Sequence, residues 1–183
     1  MSIVGNVMTL LNGYLRTTKE AGASLNDVKY ERVFLYCLAW SLGGLLEMKE
    51  RPLFDQELRG FASNMPAKEE DSDTIFEFLV DSASGEWQHW RHCVPVWTYP
   101  KAEEKPKYAQ LVIPTLDSVR YERLLQLAYA VDKAALLVGG PGTAKTNTIN
   151  QFISKFNPDT TSNKTITFSS LTTPGIFQVR PAE

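Results

Sequence analysis

Apolar side chains recur at Ile3, Val7, Leu10, Leu11, Tyr14 and Leu15, the three-and-four spacing of one helix face, which predicts a helix over 3–19. The stretch Gly22–Asn26 interrupts that pattern. A second helix is predicted from about Tyr30 to Glu47, apolar on most faces through Val33, Phe34, Tyr36, Cys37, Leu38, Trp40, Leu42, Leu45 and Leu46. A helix with so little polar surface has to be buried on most sides. Gly43 and Gly44 each cost about 1 kcal/mol in a helix interior, so close packing or a kink is expected there. Pro52 can open a third helix, with Phe54, Leu58, Phe61 and Met65 at helical intervals.

The polar, acidic segment Pro66–Asp73 marks a first boundary. Beyond it the period changes from helical to extended. Ile75–Asp81, the turn Ser82-Ala-Ser-Gly85 and Glu86–Trp90 read as a β-hairpin rich in aromatic residues. Val94–Tyr99 continues extended, and the charged, proline-bearing Lys101–Lys107 is a second boundary. The pattern then becomes α/β. Leu111–Ile113 is a short extended run broken by Pro114-Thr115. Thr115 or Asp117 caps a helix carrying Val119, Leu124, Leu125, Leu127 and Ala128. Ala134–Val138 is an uninterrupted apolar run, as expected for a strand buried on both faces. A helix to about Phe156 and a second short strand, Thr165–Phe168, follow.

The expected organisation is thus a helical subdomain over 1–65, a β-hairpin insert with linker over 66–108, and the opening part of an α/β P-loop unit over 109–183. A chain of 183 residues buries roughly 70% of its unfolded surface, enough for a core without covalent staples. Nineteen Lys+Arg against 21 Asp+Glu give no electrostatic footprint for nucleic acid or an anionic membrane. Two cysteines 56 positions apart, Cys37 and Cys93, form no disulfide framework and suit a reducing compartment. The N-terminus lacks a basic n-region and a small-residue cleavage site, and the longest apolar stretch, Val33–Leu46, is too short to span a bilayer. The expectation is a soluble, intracellular protein.

One motif carries chemistry. Gly139-Gly-Pro-Gly-Thr-Ala-Lys-Thr146 nearly matches G-x-x-x-x-G-K-[ST] and stands between a predicted buried strand and a helix, where the mechanism requires it. Glycines let successive backbone N–H groups curl round a phosphate without a Cβ in the way. The helix that follows presents its positive end to the same anion. Lys145 supplies a mobile charge for the β- and γ-phosphates, and the Thr146 hydroxyl can ligate Mg²⁺. Ala144 departs from the motif. At a helix N-terminus its φ is expected to be negative, which alanine tolerates, although its methyl group stands close to the phosphate. The plain alternative is a glycine-rich turn that merely joins strand to helix.

Hydrolysis also needs an acidic residue at the end of a second buried strand, to hold Mg²⁺ and position water. The acids after Thr146 are Asp159, which follows Asn157-Pro158 and no apolar run, and the C-terminal Glu183. Asp81 ends an apolar run but belongs to the predicted hairpin. An incomplete nucleotide fold that binds without hydrolysing is expected, and a small-molecule P-loop kinase lacks room for its acidic strand and lid arginine. His89-Trp-Arg-His92-Cys93 supplies three of the four ligands that a structural zinc site needs, and Cys37 reads as a core thiol. Trp87, Trp90 and Trp97 read as hairpin packing.

These residues resemble the heavy chain of dynein, particularly the axonemal kind. Phe34-Leu-Tyr-Cys-Leu-Ala-Trp-Ser-Leu-Gly43 resembles the helix that ends one AAA+ module. Asp73-Thr-Ile-Phe-Glu-Phe-Leu-Val-Asp81 with Gly85-Glu-Trp-Gln-His-Trp90 is similar to the hairpin insert after it. Leu111-Val-Ile-Pro-Thr-Leu-Asp-Ser-Val-Arg120 is similar to the lead into the next module. Gly142-Thr-Ala-Lys-Thr146 is similar to the P-loop of the third module in outer-arm dyneins, where alanine also precedes the lysine, and Phe168–Gln178 resembles the strand and turn beyond it. Val179–Glu183 departs from the family continuation.

The resemblance implies an incomplete AAA+ P-loop fold at the second-to-third module junction of an ATP-driven, minus-end-directed microtubule motor of cilia or flagella. It implies ATP or ADP with Mg²⁺ at Gly139, Gly140, Pro141, Gly142, Thr143, Ala144, Lys145, Thr146 and Asn147, with adenine near Val112, Ile113 and Pro114 and the metal on Thr146. Implied partners are the other heavy-chain modules, intermediate and light chains, and microtubules through parts absent here; nucleic acid and membrane are not expected. The sequence reads as a fragment without linker, stalk or main hydrolytic site. The rival reading is a non-enzymatic ring-packing piece that binds no nucleotide by itself.

Overall fold

The computed structural model describes residues 3–24, 26–99 and 113–175. Helix α1 (Ile3–Glu20) and helix α2 (Asp27–Leu42) pack against each other. The break between them ends at Asn26, whose side chain accepts the Lys29 N–H at 3.0 Å and caps α2. Val33, Leu35, Tyr36, Cys37, Ala39 and Trp40 of α2 are buried, while Phe34 stands out to solvent. Burial pushes the Cys37 thiol up to about 12, as suits a core thiol.

Helix α2 ends at Leu42, short of the predicted Glu47, and tightens into a 3₁₀ turn over Gly43–Leu45. The reason is close packing: a Cβ on Gly43 would lie 2.4 Å from Cζ of Phe76. Helix α3 (Arg51–Phe61) carries Pro52 in its first turn, as expected, and stops before Met65. Its Asp55 is buried. One carboxylate oxygen accepts the Ile75 N–H at 2.7 Å, and the other accepts Arg59 Nε at 2.7 Å.

The boundary segment 66–73 is more ordered than its composition suggests, because Pro66 and Asp73 are both buried. The Asp73 carboxylate accepts the N–H groups of Glu69 (3.0 Å) and Glu70 (2.9 Å), closing a turn. The predicted hairpin is present but short. Ile75–Glu77 forms a 3₁₀ turn, β1 (Phe78–Val80) pairs antiparallel with β2 (Trp87–His89), and Trp90–Cys93 is again 3₁₀. Val94–Tyr99 joins no strand. Trp90 is buried, and Trp87 donates its indole N–H to the Asn64 carbonyl at 2.7 Å, so both serve packing.

Helix α4 (Leu116–Tyr129) starts at Thr115, whose hydroxyl and Ser118 cap each other. It packs on α1 and contributes Leu127 to the same core as Tyr14, Val33, Tyr36 and Phe76. Arg123 of α4 lies over the Tyr14 ring at 5.4 Å and donates to Ser82 Oγ in the hairpin turn. Helix α5 (Lys145–Ile153) follows, held to α4 by Tyr129, Phe152 and Phe156, with Tyr129 and Phe156 stacked at 4.8 Å.

Two expected strands are absent. Ala134–Val138 and Thr165–Phe168 carry no strand structure, and Leu136 and Val138 are 87% and 84% exposed. A strand needs neighbours about 4.8 Å away on its hydrogen-bonding edges, and the sheet among the described residues is the β1–β2 pair alone. The architecture is therefore mixed: a helical body with one antiparallel hairpin and, among the described residues, no parallel sheet.

Candidate functional site

The glycine-rich loop sits between the exposed run Ala134–Val138 and α5. Gly142 has φ +77°, the left-handed region that a side chain resists and glycine adopts freely. Ala144 also lies there, at φ 56° and ψ 15°, as the residue preceding α5. This corrects the expectation of a negative φ. Ala144 is the N-cap position and not the first helical residue, and it differs from the extended N-caps Asn26 and Thr115 in turning the chain into the helix through the left-handed region.

Lys145, the first residue of α5, folds back over the loop. Its ammonium donates to the Gly139 carbonyl (2.8 Å), the Gly140 carbonyl (2.5 Å) and Thr143 Oγ1 (2.8 Å). Thr146 and Asn147 are exposed in the first turn of α5. Thr148 on the next turn is buried and donates its hydroxyl to the Ala144 carbonyl at 3.1 Å, which ties the loop to the helix. Thr148 was not singled out from sequence; a hydroxyl one turn after the lysine is too common a pattern to stand out.

A cleft of about 480 Å³ opens beside the loop, lined by Leu10 of α1, Trp40 of α2, Tyr121 and Leu124 of α4, the 134–139 segment and Lys145. This volume is in the range of small-molecule pockets, roughly 300–1,000 Å³. Of the adenine-site candidates, Val112 lies outside the described residues. Ile113 is exposed and Pro114 half-buried just before α4, and neither lines the cleft.

The residues present fit a phosphate group: a loop with three glycines, a lysine whose head reaches its interior, and the N-terminus of α5. For Mg²⁺ the chain offers the Thr146 hydroxyl. The cleft lining holds neither Thr146 nor any Asp or Glu, so phosphate and water oxygens would have to supply the other ligands of the metal. Asp159 sits in a turn, where its N–H donates to Asn157 Oδ1 at 2.9 Å, and Glu183 lies outside the described residues.

Asp81 has a different task. Its carboxylate accepts the Ser84 N–H at 2.7 Å in the hairpin turn, and that bond holds it below the ordinary aspartate range. Of the zinc candidates, His89 is buried with Nδ1 accepting the Arg91 N–H at 3.0 Å and Nε2 lying 3.7 Å from Asp73. Among the described residues, no three metal-binding side chains cluster.

The family described as dynein heavy chain AAA lid domain matches residues 1–92. The family described as P-loop containing dynein motor region matches residues 100–180. The chain is 82% identical over 179 residues to the dynein gamma chain of the flagellar outer arm of Chlamydomonas reinhardtii, covering 98% of this chain and 4% of that protein. It is 36% identical over 172 residues to dynein axonemal heavy chain 5 of Rattus norvegicus, covering 92% of this chain and 5% of that protein. Against a cytoplasmic dynein heavy chain of Neurospora crassa the identity is 34% over 185 residues, covering 96% of this chain and 4% of that protein. The chain thus spans about one twentieth of the length of these relatives.

Proposed function

The chain belongs to the dynein heavy-chain family, and on that premise we propose that it is a nucleotide-binding junction of an axonemal motor. In this reading residues 1–65 are the helical lid of one AAA+ module, 66–108 the hairpin insert and linker, and 109–183 the start of the next module. The junction is that of the second and third modules. ATP or ADP with Mg²⁺ binds at Gly139–Asn147, adenine lies toward Val112–Pro114, and Thr146 is the metal contact. The remaining heavy-chain modules and the intermediate and light chains are its partners, and the assembly works on microtubules in a cilium or flagellum.

The observation that carries the reading is the Lys145 ammonium turned into a three-glycine loop at the head of α5. Titration of a fluorescent ATP analogue against the chain, with and without Mg²⁺, tests it. Saturable binding in wild type and a tenfold to hundredfold loss in Lys145→Ala are expected, since a charge-assisted contact contributes about 1.5–3 kcal/mol. Equal binding by the two proteins would remove this loop as the site.

A second reading, a ring-packing piece that binds no nucleotide, is favoured by the exposed apolar run Ala134–Val138. Trp40 Nε1 and Ser41 Oγ, buried without a hydrogen-bond partner, line the adjoining cleft. Absence of any nucleotide binding by wild type would select it.

A further inference from the structure

The Lys145 ammonium has three N–H bonds and no acceptor capacity, and all three are committed inside the loop, to Gly139 O, Gly140 O and Thr143 Oγ1. The Thr143 hydroxyl is committed as well: it receives Lys145 and donates to the Gly140 carbonyl at 2.9 Å. Space for this arrangement depends on Gly139, where a Cβ would lie 3.2 Å from Thr143 Oγ1 and 3.8 Å from Lys145 Nζ. Apart from the lysine itself, Thr143 is the one side chain in this closed ring of hydrogen bonds.

We propose that Thr143 is a latch that holds the loop closed on Lys145, so that a phosphate group gains the ammonium only by drawing it off the threonine hydroxyl. The identity of the anion rests on the nucleotide reading above, whereas the latch does not. A phosphate oxygen that replaces Thr143 as acceptor exchanges a neutral partner for a charged one, so the opened loop is favoured once the anion arrives. Before that, only the open fraction binds, and apparent affinity is reduced by that fraction. Thr143 therefore sets how readily the loop accepts phosphate, through Lys145 and not by contact of its own hydroxyl with the ligand.

The test uses the whole 183-residue chain as wild type, Thr143→Val, which keeps the branched shape without the hydroxyl, and Thr143→Ser, which keeps the hydroxyl. The first readout needs no nucleotide: the rate at which an acetylating reagent modifies Lys145, measured by mass spectrometry against exposed Lys49 and Lys133 as internal standards. A several-fold faster modification of Lys145 in Thr143→Val, restored toward wild type in Thr143→Ser, is expected. The second readout is titration with a fluorescent ADP analogue, where Thr143→Val should bind about threefold to tenfold more tightly, the effect of losing one or two ordinary hydrogen bonds from the closed form. An unchanged acetylation rate overturns the latch. Faster acetylation with weaker binding places the hydroxyl on the ligand and overturns the gating role. Faster acetylation with no binding by any of the three proteins sustains the latch and overturns the nucleotide reading.

Discussion

Gly13 of α1 lies so close to Leu127 of α4 that a Cβ on the glycine would fall 2.1 Å from the Leu127 carbonyl oxygen. This contact joins the first helix of the chain to the helix that precedes the P-loop, and it admits no side chain. Gly13→Ala would gain about 1 kcal/mol of helix propensity. The clash is with backbone and cannot be relieved by a rotamer change, so overpacking of roughly 1–3 kcal/mol or more prevails. A lower urea midpoint for Gly13→Ala is expected, and a raised midpoint would show that the two helices do not approach this closely.

Ala144→Gly should act in the opposite sense. A non-glycine residue in the left-handed region costs roughly 1–2 kcal/mol, and Ala144 at φ 56° precedes the helix, so no interior helix propensity is lost on substitution. A gain of about 1 kcal/mol is expected, after allowing for the greater freedom of glycine in the unfolded chain. Urea denaturation of the two proteins checks the sign.

Asp73 makes stability depend on pH. Burial alone would raise its carboxyl, but the N–H groups of Glu70 and Glu69, with His89 and Arg91 nearby, outweigh burial and hold it below its ordinary value. A carboxyl depressed on folding stabilises in full above its unfolded value near 4, and that contribution fades as pH falls through the folded value. Asp73→Asn should therefore be less stable than wild type by about 1–3 kcal/mol at pH 7. The gap should close in acid below about pH 4. A gap that stays constant from pH 7 to pH 3 would refute the assignment.

Removal of the Asp55 carboxylate strands the buried Ile75 N–H and takes the ion-pair partner from Arg59, which keeps its bond to the Pro66 carbonyl. Asp55→Ala is expected to cost about 3 kcal/mol, and Asp55→Asn, which keeps one acceptor, noticeably less. Thermal melts of the pair test whether α3 is fixed to the hairpin through this residue.

Limited trypsin digestion should cut after Lys133 before it cuts after Lys68. Lys133 is exposed beside a run that joins no strand, whereas Lys68 lies two residues after buried Pro66 and reaches Asp55 at 3.8 Å. Local opening is cheapest where few contacts have to break. N-terminal sequencing of the first large fragment reads the order.

Much of this protein was legible in its sequence because the signals are local. Helical periodicity located α1, α2 and α3, aromatic alternation around Ser82–Gly85 located the hairpin, and the capping candidates Thr115 and Asp117 announced the start of α4, where the structure places the cap on Thr115. The spacing of Gly139, Lys145 and Thr146 marked the candidate P-loop, and the resemblance to dynein agrees with the family matches. What required tertiary structure is what depends on a neighbour distant in sequence. Gly43 reads as a helix weakness until Phe76 is seen against it, and Asp55 reads as a surface acid until Ile75 supplies its N–H. Ala134–Val138 has the composition of a buried strand, but composition supplies no partner edge, and without one among the described residues the run forms no strand and is mostly exposed. The left-handed Ala144 was hidden for a related reason. A backbone angle is set by where the chain must go next, and the motif records only which residues can be present there.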